Sequence, residues 1–305
     1  MPRPRYLAGM LLDRFVDHLT YEKRYSPHTV AAYKRDLEQF EVFLEGTGVR
    51  PIAQATDKAI RLWMMDLLGS GVGPRSVNRK LSALRGFFRF ARLVGEVGPD
   101  PTSTVDPPKV PKRLPEFVPG AGMTQLLEEM SWPEGPQGQV ERLVIDLLYQ
   151  TGMRLAEMLA LTVADADLSS STLRVLGKRR KERIIPIGSD LVQAIRDHWS
   201  SRASSGPVPQ GGDPLLTNAR NEPFARRSVQ RLVSHYLSGV TSQRKRSPHV
   251  LRHTFATHML EGGADLNAVK ELLGHANLAA TQVYTHNTVE KLRNVHAQAH
   301  PRGGK

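Results

Sequence analysis

Apolar residues recur at helical spacing through the first hundred positions. From Met10 to Glu22, the residues Leu11, Leu12, Phe15, Val16 and Leu19 fall on one face. Ser26-Pro27 then reads as an N-cap followed by a first-turn proline. The helix it opens carries Val30, Tyr33, Leu37, Phe40 and Leu44 and ends near Gly46-Thr47-Gly48. A third helix is expected over about Asp57 to Leu68, stopped by Gly69-Ser70-Gly71. A fourth runs from Pro74 to about Leu93, with Val77, Leu81, Leu84, Phe88 and Ala91 spaced for a core. Four helices joined by short glycine-containing turns can bury one another's apolar stripes, so residues 1–98 are expected to form one helical domain.

Prolines dominate the next stretch. Gly98-Pro99-Asp100-Pro101 and the run Pro107 to Pro115 exclude helix and predict an extended strap over residues 99–115. Its Lys109, Lys112 and Arg113 read equally as phosphate contacts or as a solvated basic linker. Residues 116–305 make a second domain. Met123 to Met130 is expected as a short helix, Pro133 to Gly138 as a polar loop, and Val140 to Tyr149 as an apolar helix closed by Gly152. Another short helix follows from Leu155 to Leu161. The period then becomes alternating. Thr172 to Leu176 and Arg183 to Ile187 flank Gly177-Lys178-Arg179-Arg180-Lys181-Glu182, which predicts a β-hairpin with a cationic tip. Leu191 to Trp199 is helical, and the Gly/Pro/Ser-rich stretch Ser204 to Asp213 is expected to be disordered. Helices are expected from Ser228, Pro248, Leu266 and Leu278 onward, and no internal repeat is present. The fold class is therefore mainly α in two domains, an N-terminal four-helix domain and a C-terminal α+β domain with a small β-sheet.

Charge adds a partner to this picture. Lys and Arg number 42 against 30 Asp and Glu, a net charge of +12 over 305 residues. Such a surplus points to a polyanion, and nucleic acid fits better than a membrane surface because no single basic amphipathic helix is present. A merely basic soluble protein is the other reading. Cysteine is absent, which excludes disulfides, thiolate metal sites and a cysteine nucleophile. The apolar runs are far shorter than the roughly 20 residues of a membrane span. The basic start and the apolar Leu7 to Leu12 imitate a signal peptide, but the stretch is short and runs into Asp13-Arg14, so a cytoplasmic location is expected.

Four local signals carry candidate chemistry. Breaking a DNA strand needs a nucleophile, neutralisation of charge growing on the phosphate, and a proton for the departing sugar oxygen; without a metal, arginines and histidines must converge on one phosphate. In Thr151-Gly152-Met153-Arg154-Leu155-Ala156-Glu157, Gly152 closes one helix and Arg154 opens the next, beside free backbone N–H groups. Lys178 sits in the cationic hairpin, where crowding can lower its pKa and make it a general acid. In Ser247-Pro248-His249-Val250-Leu251-Arg252-His253, His249 and Arg252 are three apart and face one way. His249 and His253 are also four apart, yet Val250 stands where a zinc peptidase needs Glu, so no metal is assigned. Finally, His275 follows the helix-ending Gly274, and Tyr284 lies further on. Each signal alone admits a bland reading: a solvated Arg154, a backbone-gripping turn at Lys178, capped histidines at 249 and 253, a half-buried core Tyr284. Their order and joint content argue otherwise.

That order, Arg154, Lys178, His249-Val-Leu-Arg252, Leu273-Gly274-His275 and Tyr284, resembles the tyrosine recombinase (phage integrase) family, and within it the bacterial Xer subfamily, XerC- or XerD-like. Pro248 to His258, Glu271 to Leu278, Thr281 to His286 and the ending His300-Pro301-Arg302 are similar to it almost residue for residue. Ser26-Pro-His-Thr29 and Ala32 to Leu37 are similar to the family's N-terminal core-binding domain. One departure is Arg179, where members carry Gly after the hairpin lysine.

The resemblance implies a division into a SAM-like core-binding domain (1–98), a linker (99–115) and a catalytic domain (116–305). It implies that Tyr284 attacks the phosphate and becomes joined to the 3′ end, leaving a 5′-hydroxyl. Arg154 and Arg252 would hold the non-bridging oxygens, Lys178 would be the general acid, His249 an acid/base and phosphate donor, and His275 would orient the phosphate. No cofactor and no metal would take part. The implied partners are double-stranded DNA carrying a dif-like site, a homo- or hetero-tetramer with a second Xer recombinase, and possibly the DNA translocase FtsK. The two domains would close on DNA as a clamp, the C-terminal helix from about Thr288 to Ala299 would dock on a neighbouring protomer, and the biological setting would be chromosome-dimer resolution during segregation and cell division. Two other readings stand beside it. A phage or mobile-element integrase would share the chemistry, and a non-catalytic DNA-binding protein would need neither Tyr284 nor paired arginines.

Overall fold

A computed structural model describes residues 4–48, 52–111, 116–177, 181–274 and 286–303, with the side chains of 4–9, 205 and 286–289 outside the description. The chain divides into two compact units, Met1–Arg113 and Leu114–Lys305. Among the described residues no helix is long and apolar enough to cross a membrane.

The first unit is built from α1 (Pro4–Asp17), α2 (Pro27–Gly46), α3 (Asp57–Gly69) and α4 (Pro74–Leu93). The Ser26 hydroxyl accepts from the Thr29 amide at 3.3 Å and Thr56 from Ala59 at 3.2 Å, so α2 and α3 start where side-chain oxygens satisfy free N–H groups. Pro27 and Pro74 occupy first turns, where a missing N–H costs nothing. The core is aromatic: Phe15, Phe40, Trp63, Phe87 and Phe88 are all buried. The first helix starts at Pro4, before the expected Met10, and a π-turn at His18–Glu22 carries it to the expected end. The proline strap is not free over its first half. Val105 and Thr102 are buried, Arg85 donates to the Val105 carbonyl at 2.8 Å, and Asn78 to that of Pro108 at 3.1 Å.

The second unit wraps around α6 (Pro136–Thr151), from Leu143 to Thr151 buried at every position. It begins at Pro136, inside the segment expected as loop, since proline at N1 can start a helix. Before it lies the short α5 (Gly120–Thr124), continued by a π-turn; after it come α7 (Leu155–Met158) and a three-stranded antiparallel sheet in the order β1 (Ala166–Asp167), β2 (Thr172–Leu176), β3 (Glu182–Pro186). The hairpin register pairs Leu176 with Glu182 and Thr172 with Pro186. β1 was not expected, for two residues are too few to show alternation. The remaining helices are α8 (Ser189–Ser205), α9 (Arg226–Val240), α10 (Pro248–Glu261), α11 (Leu266–Leu273) and α12 (His286–Ala299).

One expectation is corrected. The stretch Ser204 to Asp213 is tied down rather than disordered: Val163 donates to the Asp213 carbonyl and Ala164 to that of Gly211, both at 2.9 Å. Backbone pairing does there what composition could not advertise. The C-terminal helix packs on its own unit within this single chain. Leu292, His296 and Ala299 are buried, His296 Nε2 lies 2.8 Å from the Gln150 carbonyl, and the stacked His296 and His300 rings stand 5.0 Å apart beside Tyr149 and Phe255. Arg302 then approaches Asp146, Asp190 and Glu128, each at 3.4 Å. The helix expected from Leu278 begins outside the described residues.

These buried histidines make the unit acid-sensitive. Burial lowers the imidazole pKa of His258, His296 and His300, and that of His198 to about 4. Unfolded imidazoles take up protons as pH falls through about 6.5 whereas the folded ones do not, so stability present above that pH is lost below it. Thermal melts of the second unit, followed in the full chain, should fall steadily from pH 7.5 to 5.5. Replacing His300 by Phe should flatten that slope; an unchanged slope would remove the imidazole cluster as its source.

Candidate phosphate-binding active site

Two helix ends create the site. Gly152 closes α6 in the left-handed region at φ 56°, and Gly274 closes α11 at φ 66°. A side chain at 152 would also meet the Phe255 ring at 2.3 Å, so only glycine fits. Chain reversal at these glycines leaves the Gly152 and Leu273 carbonyls facing one buried guanidinium. Arg252 Nη1 donates to the first and Nη2 to the second, both at 2.7 Å. Pro248 in the first turn of α10 starts the helix that delivers Arg252 and, three residues earlier, His249.

Arg154 arrives from the other side. It precedes α7 in extended conformation, with φ −75° and ψ 147°, and its amide donates to Glu157 Oε2 at 2.8 Å. Its Nη1 donates to Glu157 Oε1 at 2.7 Å while the side chain stays 40% exposed. Arg154, His249 and Arg252 line one cavity of about 260 Å³, together with Arg226 and Gln230 from the start of α9 and Ser247. None of the residues lining it carries a carboxylate.

Electrostatics confirm a surplus of positive charge. Burial first, then the nearby Arg154, lowers the Arg252 pKa to about 10, with Glu157 pulling the other way. Arg252 therefore remains a cation at neutral pH. Partial desolvation, then Arg252, His253 and Arg154, depress His249, which leaves its imidazole mainly neutral at pH 7. Clustered guanidiniums with spare N–H donors, and with their counter-ion Glu157 outside the cavity lining, form a receptor for a tetrahedral anion. Among the described residues, no group of three or more histidine or carboxylate side chains is arranged to hold a metal ion.

The structure thus brings together three of the six residues singled out from sequence: Arg154, His249 and Arg252. Lys178, His275 and Tyr284 lie outside the described residues, as does Arg179. The base of the hairpin is described, with the Gly177 amide donating to the Lys181 carbonyl at 2.8 Å. Sequence reasoning gave no role to Arg226, Gln230, Glu157 or Arg183. Glu157 pairs with the buried Arg183, whose Nη2 donates to Oε2 at 2.8 Å. Burial raises the Glu157 pKa, but hydrogen bonds from Arg183 and its charge outweigh this and hold the carboxyl below its usual value. Arg183 had a signal: a charged residue at an inward strand position must have a buried partner. Arg226 and Gln230 had none, because the cavity they share with α10 is a tertiary feature.

Residues 117–291 match the phage integrase family, and residues 12–95 match the phage integrase N-terminal SAM-like domain. Tyrosine recombinase XerC of Pelobacter propionicus is 40% identical over 286 residues, covering 93% of this chain and 93% of that protein. Tyrosine recombinase XerD of Pseudomonas aeruginosa is 37% identical over 299 residues, covering 97% and 99%. Among solved structures, the Tn1549 transposon integrase in complex with transposon right end DNA superposes with a TM-score of 0.70 at 18% identity, covering 93% of this chain and 98% of that one. XerH bound to its difH substrate superposes at 0.66 with 22% identity, covering 87% and 78%. At those identities the superpositions show the shared fold. With the family match across the second unit and relatives aligned along nearly the whole length, the chain belongs to the tyrosine recombinase family, enzymes that cut and rejoin DNA through a covalent phosphotyrosine.

Proposed function

We propose that this chain is a Xer-type site-specific recombinase acting at a dif-type site, and that Arg154, Lys178, His249, Arg252, His275 and Tyr284 carry its chemistry. The observation that supports this most is the convergence of Arg154, His249 and Arg252, from two separate elements, on one carboxylate-free cavity. The two guanidiniums hold the non-bridging oxygens of the scissile phosphate and stabilise the charge that grows there. Tyr284 attacks phosphorus with its phenol oxygen. The bond from phosphorus to the 5′-oxygen breaks, and the 3′ end stays esterified to the tyrosine. The neutral His249 suits acceptance of the phenol proton, Lys178 supplies one to the leaving 5′-oxygen, and His275 orients the phosphate. Attack by a 5′-hydroxyl from another strand reverses these steps and restores the free tyrosine. The ester conserves the bond energy, so exchange needs no nucleotide cofactor and no metal.

The domain division at residues 1–98, 99–115 and 116–305 belongs to the same reading, with the N-terminal unit contributing to the grip on DNA. Recombination in pairs of strands calls for four protomers on two sites, either of this chain alone or with a second Xer recombinase. Activation by the translocase FtsK and work in the cytoplasm complete the proposal. Relatives of both XerC and XerD name along nearly the whole chain support it.

Two measurements test the chemistry. On a nicked suicide substrate, Tyr284→Phe should bind DNA as before but leave no covalent adduct on a denaturing gel. A persisting adduct would remove Tyr284 from the role. Arg252→Lys keeps the buried charge and a donor for the carbonyls of Gly152 and Leu273, so the unit should stay folded, but without the planar fork its cleavage should slow by about 10²-fold or more. Cleavage at the unchanged rate would exclude Arg252 from phosphate binding.

A further inference from the structure

Arg183 is enclosed, with 3% exposure, on the strand leading out of the cationic hairpin. A buried guanidinium is costly unless its donors are paired. Here Nη2 donates to Glu157 Oε2 at 2.8 Å, Nη1 to Oε1 at 3.2 Å, and Nε to the Leu272 carbonyl at 2.8 Å. Arg183 therefore joins β3 to the end of α11 and to α7. Its slot depends on the glycine at 274, where a Cβ would stand 3.1 Å from Nη1.

The Glu157 carboxylate is shared. Oε2 also takes the Arg154 amide at 2.8 Å, and Oε1 takes Arg154 Nη1 at 2.7 Å. Each oxygen thus accepts two donors, which fills the roughly four lone-pair positions of a carboxylate. Arg154 is left with a one-point side-chain tether and keeps its exposed face toward the cavity. If Arg183 were absent, two acceptor positions would open beside Arg154. A guanidinium and a carboxylate prefer parallel, two-point pairing, so Arg154 would turn its second nitrogen to Glu157 and away from the cavity.

We propose that Arg183 is a positioning residue for strand cleavage: by saturating Glu157 it restricts Arg154 to a single tether and keeps that guanidinium available to the scissile phosphate. Arg183 acts through Glu157 and Arg154 and itself stays buried. The inference rests on the reading of Arg154 as a phosphate ligand.

Alanine at 183 would strand a buried carboxylate and unfold the unit, so lysine is the informative change. Arg183→Lys keeps the charge beside Glu157, yet a single ammonium cannot hold both oxygens and the Leu272 carbonyl together. Single-turnover cleavage is measured on a nicked dif-type substrate with an ordinary phosphodiester at the scissile position. It is repeated with a methylphosphonate there, in which methyl replaces a non-bridging oxygen and removes the charge that Arg154 neutralises. Arg154→Ala is run alongside, with DNA affinity by gel shift. Arg183→Lys should bind DNA within about threefold of wild type and cut the charged diester about tenfold more slowly or worse. Its deficit should shrink severalfold on the uncharged linkage, as should that of Arg154→Ala. A wild-type rate for Arg183→Lys overturns the inference. So does an equal deficit on both linkages while Arg154→Ala is relieved, because Arg183 would then act by another route. No relief for Arg154→Ala overturns the reading of Arg154 itself, and the inference with it.

Discussion

A buried guanidinium shared by two helix ends is the contact on which this catalytic unit turns. Arg252 gives one hydrogen bond to the carbonyl that closes α6 and another to the one that closes α11. Both helices stop at a left-handed glycine, and both stops leave carbonyls that need donors. The same bonds that cap the helices fix the cation. Its position is then set by the fold rather than by an anion, and the site stands preorganised before any phosphate arrives.

Preorganisation of this kind works against mutual repulsion. Arg154, Arg252 and Arg183 crowd one another, and burial first, then this repulsion, lowers the Arg252 pKa. Glu157 is the counterweight, buried, ionised and ringed by donors. It lies behind the cavity and not in it, so it holds the arginines together without occupying the place of the anion. Placing the one carboxylate on the far side of the cations separates the stabilisation of the site from its use.

Much of this was legible in the sequence, for definite reasons. Ser26-Pro27, Thr56 and Gly152 act through bonds to their immediate neighbours, so α2, α3 and the end of α6 could be read locally. His249 and Arg252 share a helix, and their spacing alone puts them on one face. The joining of Arg154 to that pair depends on the packing of α6 against α10 and was visible only as a resemblance. Arg226 and Gln230 reach the cavity across the fold, where no local period reports them. The docking of α12 on its own unit was not legible for a similar reason. Its fit depends on a chamber formed by Tyr149, Phe255 and His258, residues far away in the chain.

The account stands on one arrangement, in which Arg154 and Arg252 grip the phosphodiester that Tyr284 attacks. A structure of the protein on a suicide DNA substrate, trapped with the scissile phosphate in place, measures it directly. The account predicts that phosphate in the cavity between α7 and α10, within about 3 Å of nitrogen atoms of both arginines. The Tyr284 oxygen, from the same or a neighbouring protomer, should lie in line behind the bond to the 5′-oxygen. A scissile phosphate bound elsewhere, with the cavity facing solvent, would contradict it.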